Sequence, residues 1–224
     1  MGDNFYEFNL GEGVRVFTAG RDAVPPCEVI VGHQVHGILV AEVNRKGMTR
    51  DELVGFDGLV TNLQGCAIGV RTADCIPVLI YDPVRRTVGA AHAGWRGTVN
   101  RVTQKTIFKM KMLYGSKPSD MVVLVGPGIS RRYFQVGEEV VSYFKENGFP
   151  LDLVYEWQGK KGEEMNGGHH IDLKEANRWL LRESGVKEEN ILMSDVCTYA
   201  DSRLYSARRE GAECGRNINA IQIL

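Results

Sequence analysis

The sequence has 224 residues, of which 43% are hydrophobic and 25% are charged, and its formal net charge is -1. This is the composition of an ordinary soluble globular protein with enough apolar material for a buried core, so we expect a single domain over residues 1–224. The near-zero net charge gives no general basic field, which argues against nucleic acid as a partner.

The first half of the chain predicts short strands with chemically active residues at their ends. Residues 27–43 are rich in Val and Ile and predict two short strands around a bend marked by glycine, with His36 near the bend. Residues 57–71 form an apolar run, and a short polar break separates it from a second apolar run over residues 76–81. Cys75 therefore stands where the second predicted strand begins.

The next unit predicts a strand, a turn and a helix. The strand covers residues 87–92 and ends at His92, and a glycine-rich turn follows over residues 93–97. The helix then continues to about Leu113 and is closed by Gly115. His92 is therefore expected at a strand-to-helix junction, where ligands commonly bind in α/β proteins.

The second half alternates strands and helices less regularly. Residues 121–130 predict a strand followed by a Gly/Pro turn, and an amphipathic helix ends at Gly148. A third helix begins after Asp172 as N-cap and stops at Gly185, and residues 217–224 predict a final strand. Because this order has no strict βαβ repeat, we expect a single layered α/β domain with mixed β-sheets flanked by helices.

No segment of the sequence marks a membrane or secreted protein. No stretch approaches the roughly 18–20 uninterrupted apolar residues of a membrane span, and the first residues lack the basic and apolar regions of a signal peptide. The five cysteines are an odd number, are widely spaced and form no CxxC pair, which does not suggest a disulfide framework. We therefore expect a cytoplasmic protein with reduced thiols and no membrane contact.

Two imidazoles and one thiol stand in short, distinctive motifs: His36 in HQVHG, Cys75 in TADC and His92 in AHAGWRGT. Two neutral imidazoles and a thiolate form a good ligand set for a borderline-soft divalent metal, with a fourth position left for water or substrate. That is the pattern of a catalytic metal site. The alternative is thiol chemistry, in which Cys75 is a nucleophile, a histidine is its base and Asp74 orients the histidine. The sequence leaves both interpretations open.

Residues 94–98, GWRGT, are candidates for anion binding. They present backbone amides at a predicted helix start beside Arg96, where unpaired N–H groups and a partial positive charge favour anions. Arg71 lies four residues before Cys75 and is predicted to face the same cleft. Arg71, Arg96, Gly94 and Gly97 are therefore candidate substrate or phosphate ligands. The alternative is a simple turn with Arg96 in solvent.

Together these motifs resemble the laccase-domain family, known as multicopper polyphenol oxidase and also described as purine nucleoside phosphorylase and as peptidoglycan editing factor. The resemblance spans about residue 30 to the end of the chain. The matching stretches are HQVHG (33–37), DGLVT (57–61), TADCIPVLIYDP (72–83), AHAGWRGT (91–98), GPGIS with YFQVGEEV (126–140), IDLKEANRWLL (171–181) and CTYADSRLYSARREGAECGRN (197–217).

The resemblance implies a zinc site at His36, Cys75 and His92, with copper as the alternative metal. It also implies phosphorolysis of adenosine, inosine or methylthioadenosine, with adenosine deamination as a second activity, so that the partners are a small-molecule nucleoside and phosphate. Two alternatives remain: a hydrolase that edits a peptidoglycan precursor through Cys75, and a copper-dependent polyphenol oxidase. Five histidines are few for the His-rich trinuclear site of a true multicopper oxidase. The sequence does not predict the oligomeric state.

Overall fold

The computed structural model describes residues 4–159 and 167–224, which form three β-sheets and six α-helices. The strands are β1 (Phe5–Phe8), β2 (Val14–Ala19), β3 (Val29–Val31), β4 (Leu39–Glu42), β5 (Phe56–Thr61), β6 (Ala67–Thr72), β7 (Ile76–Asp82), β8 (Thr87–Ala93), β9 (Val122–Val125), β10 (Gln135–Val136), β11 (Tyr155–Gln158), β12 (Gly168–Ile171), β13 (Ile191–Met193) and β14 (Asn217–Ile223). The helices are α1 (Trp95–Val99), α2 (Val102–Tyr114), α3 (Glu138–Glu146), α4 (Leu151–Val154), α5 (Leu173–Glu183) and α6 (Ala207–Glu210).

The central layer is a six-stranded sheet with the strand order β13-β9-β7-β8-β5-β4. Its outer pairs β13/β9 and β4/β5 are parallel, and the inner pairs are antiparallel. Successive residues of β7 face opposite sides of the sheet, as a strand requires. Val78 and Ile80 belong to the core on the helical side, whereas Leu79 belongs to the core on the other side. Both faces of this sheet are therefore covered.

The two covering layers differ. On one side α2 and α5 contribute Met110 and Leu180 to a core that includes the β7 side chains. On the other side lies a five-stranded sheet with the order β1-β2-β14-β6-β3, which contributes Ile68 and Ile221. The third sheet, β10-β12-β11, has three antiparallel strands. This arrangement confirms the predicted α/β class with layered, mixed sheets and flanking helices.

Two local predictions were wrong. The apolar run over residues 57–71 is two strands, β5 and β6, which belong to different sheets. The single helix predicted after His92 is two helices, because Arg101 adopts a left-handed backbone conformation (φ 68°) between α1 and α2. The C-terminus of α2 is as predicted: Gly115 has a left-handed conformation, and its amide donates to the carbonyl of Lys111.

The helices of the described residues are short. The longest helix of the described chain, α2, has 13 residues. Among the helices in residues 4–159 and 167–224, none has the length and apolar composition that would let it cross a membrane.

Candidate active site

The three candidate metal ligands meet where the loop between β3 and β4 approaches two adjacent strands. His36 lies in that loop, Cys75 directly precedes β7, and His92 lies in β8 opposite Pro77 of β7. The ligand atoms of His36, Cys75 and His92 all lie within 4.8 Å of one another. In the part of the chain that the structure describes, this is the one group of His, Cys, Asp or Glu residues that meets this criterion. The structure thus brings together the three residues that the sequence predicts as ligands.

The accessibility of the three side chains changes across the group. His92 is buried, with 3% of its surface exposed, whereas Cys75 is half-buried and His36 is exposed. One side of the group is therefore anchored in the protein core and the other side faces solvent. A small molecule can approach the group from the His36 side, as a catalytic site requires.

Asp57, at the start of β5, holds two of the three ligands in place. Its Oδ1 accepts hydrogen bonds from His92 Nδ1 at 2.7 Å and from the backbone amide of His36 at 3.0 Å. Its Oδ2 accepts from the amides of Val35 at 3.0 Å and Gly37 at 2.8 Å. Asp57 therefore fixes the tautomer of His92, so that Nε2 faces the other ligands, and it stabilises the left-handed conformation of His36 (φ 60°).

The pKa values in this group favour a thiolate. Burial raises the pKa of Asp57, but the hydrogen bonds from His92 and from the amides of Val35 and Gly37 outweigh burial and lower that pKa. Burial also opposes ionisation of Cys75, yet the neighbouring His92 and His36 lower the pKa of the thiol to about 6. Burial alone would lower the pKa of His92, but Cys75 and Asp57 raise it to about 9. Each member of the Cys75–His92 pair thus stabilises the charge on the other.

The donor set fits a metal ion. A thiolate and two imidazoles are ligands that both zinc and copper accept, and three protein donors leave a coordination position open. The hydrogen bond between the far ring nitrogen of His92 and the Asp57 carboxylate is an arrangement typical of metal-bound histidines. The proton on His92 would be displaced by a bound cation, because the metal and the proton compete for the same nitrogen.

Asp74 has a different position from the one expected of a residue that orients a histidine. Its Oδ1 accepts from Thr198 Oγ1 at 2.7 Å, and its Oδ2 accepts from the backbone amide of Arg208 at 2.7 Å. Its backbone has a positive φ of 96° directly before Cys75. Asp74 therefore connects the turn that carries Cys75 to the C-terminal segment, whereas the carboxylate that accepts a hydrogen bond from the candidate ligand His92 is that of Asp57.

Gly94 and Gly97 are closely packed against neighbouring residues. A Cβ atom on Gly94 would lie 2.9 Å from Cys75 Sγ and 3.2 Å from His36 Cδ2. A Cβ atom on Gly97 would lie 3.1 Å from the carbonyl oxygen of His92. Helix α1, which follows Gly94, is only five residues long. The absence of a side chain at these two glycines therefore leaves space for the residues around them.

We predict that Gly94→Ala weakens metal binding by about 10- to 100-fold, the range typical of disturbed ligand surroundings. Gly94 has a φ of -67°, which alanine adopts without strain, so the expected effect comes from contact with Cys75 and His36 alone. Zinc affinity measured by chelator competition tests this prediction. Lys105→Ala, at an exposed position of α2, is the control and should keep the metal affinity of the unaltered protein. Equal zinc affinity in both variants would contradict the prediction.

The cleft at the candidate ligands has two halves: His36 and Cys75 line both of them, whereas His92 lines only the first. The arginine half has a volume of about 530 Å³. Its other principal lining residues are Gln34, Arg50, Arg71, Glu213, Cys214 and Arg216. The aromatic half has a volume of about 120 Å³. Its other lining residues are Asp74, Trp95, Arg96, Ile129, Phe134 and Leu173. The cleft thus offers one polar, cationic compartment and one largely apolar compartment, and the two share His36 and Cys75.

The sequence and the fold match one known family over nearly the whole chain. Residues 15–224 match the model of the family described as multi-copper polyphenol oxidoreductase laccase. The chain belongs to this laccase family.

Named relatives and a solved structure of similar fold extend the comparison. A Bacteroides thetaiotaomicron protein named purine nucleoside phosphorylase is 36% identical over 195 residues, which are 85% of this chain and 70% of that protein. A protein of an unknown prokaryotic organism named adenosine deaminase RL5 is 36% identical over 202 residues, which are 87% of this chain and 74% of that protein. A Neisseria meningitidis protein of known crystal structure aligns with a TM-score of 0.84 and 27% identity, and the alignment covers 99% of both chains.

In this laccase-family chain, the two arginines that the sequence predicts to bind substrate or phosphate lie in different halves of the cleft. Arg71 lines the arginine half, while Arg96 lines the aromatic half and stacks over the Trp95 ring at 4.2 Å. Sequence reasoning missed Asp57, although the DGLVT stretch that contains it was one of the matching motifs. A buried aspartate at the start of an apolar strand is the signal that could have identified it, since such a carboxylate needs several hydrogen-bond donors.

Proposed function

We propose that this chain is a zinc-dependent purine nucleoside phosphorylase that acts on adenosine, inosine and methylthioadenosine, with adenosine deamination as a second activity. The observation that carries the proposal is that the arginine half and the aromatic half meet at His36 and Cys75, whose ligand atoms lie within 4.8 Å of that of His92. Phosphorolysis needs an anion compartment and a base compartment at one centre. The relatives named purine nucleoside phosphorylase and adenosine deaminase support this substrate class.

The aromatic half is suited to the purine. Trp95 and Phe134 offer ring faces for stacking, and Leu173 adds an apolar wall. Arg96 is held over the Trp95 ring, where it can meet the polar edge of a base or the sugar. A purine in this compartment places the ribose beside His36 and Cys75, which line both halves of the cleft.

The reaction then takes place where the two halves of the cleft meet, beside His36 and Cys75. A phosphate oxygen forms a bond to C1′ of the ribose as the bond from C1′ to the purine nitrogen breaks. The purine leaves with the bonding electron pair and takes up a proton, and the other product is ribose 1-phosphate. Arg71 would hold the incoming phosphate in the arginine half, and Asp57 would keep His92 oriented throughout. A zinc ion bound at the three ligands would supply Lewis-acid polarisation and would lower the pKa of a bound water, which deamination requires.

A peptidoglycan-precursor hydrolase that uses Cys75 is the second candidate, because His92 and His36 lower the pKa of this thiol. Copper-dependent phenol oxidation has less support from the site. The other three histidines, His33, His169 and His170, are not part of the described three-ligand group. A trinuclear copper site would need a larger cluster of histidines.

Release of free base tests the proposal directly. Zinc-loaded protein is incubated with adenosine or inosine, with and without inorganic phosphate, and nucleoside, base and sugar phosphate are separated chromatographically. We expect free base only when phosphate is present, and inosine from adenosine in both conditions. Chelator-treated protein is the control and should lose both activities. A zinc-loaded protein that releases no base with phosphate would contradict the proposal and favour the hydrolase.

A further inference from the structure

The arginine half concentrates positive charge from three distant segments of the chain. Arg50 directly precedes the short 3-10 turn Asp51–Leu53, Arg71 lies in β6, and Arg216 directly precedes β14. All three line the same compartment, with Glu213 as the carboxylate that shares it. Three positive charges against one negative charge leave a local excess of about two positive charges at neutral pH.

Two of the three guanidinium groups are free to bind a ligand. Within residues 4–159 and 167–224, the side chains of Arg50 and Arg71 have no hydrogen-bond or ion-pair partner, although the backbone of Arg71 is bonded to Gln34. Arg216 is oriented differently, because it donates to the carbonyl of Ala212 at 2.8 Å and to other carbonyls of its own loop. The Arg216 guanidinium is therefore held in place by its own loop and contributes a positive charge at a fixed position.

The three arginines influence one another. Burial lowers the pKa of Arg71, and the charges of Arg50 and Arg216 lower it further. Repulsion among the three positive charges is unfavourable, and a bound anion would relieve it. A phosphate monoester carries about 1.5 to 2 negative charges at pH 7, which matches the local excess, whereas a carboxylate carries one. Arginine also binds phosphate oxygens through its planar, multi-donor head group.

We propose that Arg50, Arg71 and Arg216 form a phosphate site, which binds inorganic phosphate and the phosphate group of the sugar 1-phosphate product. This proposal rests on the proposed phosphorylase function and narrows it. It places the phosphate in the arginine half rather than at the amides of residues 94–98 or at Arg96, which lines the aromatic half. Nucleoside and phosphate then enter opposite compartments and meet beside His36 and Cys75.

Binding of inorganic phosphate to the zinc-loaded protein, measured calorimetrically without nucleoside, tests this site. Arg50→Ala and Arg71→Ala are the main variants, because neither guanidinium supports the fold, and Arg216→Ala is the third. We expect each to weaken phosphate binding by about 10- to 100-fold, the effect of losing one charged hydrogen-bond donor. Arg45→Ala removes an exposed arginine of the same loop that pairs with Glu52, and it should bind phosphate as the unaltered protein does.

The outcomes separate this site from the proposed function. Unchanged phosphate binding in all three variants, or acetate binding as tight as phosphate binding, would overturn the site. The KM for phosphate in base release should rise in parallel, with the zinc content unchanged. If base release depends on phosphate but these variants leave that KM unaltered, the site is wrong and the phosphorylase function stands. If the arginines bind phosphate but no base is released, the function is wrong and the site stands.

Discussion

Cys75→Ala is expected to reduce zinc affinity and base release by at least about 100-fold, more than the loss of a residue that only supports a ligand. The thiolate is the one anionic donor among the three candidate ligands, and its removal leaves two imidazoles, of which His36 is exposed. Zinc content by atomic absorption and base release from inosine measure the effect. Cys27→Ala removes a half-buried thiol that does not line the cleft, and it should retain both properties.

The same variant distinguishes the two interpretations of Cys75. If Cys75 is a metal ligand, zinc and activity are lost together, and added chelator inactivates the unaltered protein. If Cys75 is a nucleophile, activity disappears while zinc is retained, and chelator has no effect. Full zinc content together with full activity in Cys75→Ala would refute both roles for this residue.

Asp57→Asn is expected to be strongly disruptive although it conserves the shape of the side chain. Each carboxylate oxygen of Asp57 accepts two hydrogen bonds, and the amide nitrogen of asparagine cannot accept any. Two buried or half-buried donors would lose their acceptor, at about 1–3 kcal/mol each, so we expect a loss of about 2–6 kcal/mol of folding stability. Zinc affinity should also fall by about 10- to 100-fold, because one amide oxygen cannot hold both His92 and the loop of residues 35–37 as the carboxylate does.

Urea unfolding and chelator competition measure the two effects of Asp57→Asn separately. Asp152→Asn, at an exposed position of α4, is the control and should change neither. A variant with normal stability and normal zinc affinity would show that the hydrogen bonds around Asp57 do not support the site. Normal stability with weak zinc binding would indicate that the loop of residues 35–37 can rearrange without the carboxylate.

The candidate ligands could be predicted because their chemistry is local. An imidazole or a thiol in a glycine-rich motif at a strand end is visible from a few neighbouring residues. Asp57 could not be assigned in this way, because its partners are backbone amides of another loop and the ring of His92 in a neighbouring strand. Arg50 was missed for the same reason: the compartment that it shares with Arg71 exists only after the sheets have packed.

The fold shows the same division between local and long-range information. The cap of α5 was predictable, since the Asp172 side chain accepts from the amide of Glu175 at 3.0 Å within one turn. The separation of β5 from β6 was not, because both strands are apolar and only their pairing partners assign them to different sheets. Apolar composition predicts burial, but it does not predict which sheet a strand joins.

The candidate ligands and Asp57 all lie between residues 36 and 92, whereas most of the aromatic wall and part of the arginine wall come from later in the chain. Ile129, Phe134 and Leu173 line one half, and residues 207–216 contribute to the other. Evolution can therefore alter these walls without altering the ligands. Proteins with the same ligand residues but different cleft walls can bind different substrates, because the walls rather than the ligands contact most of the substrate.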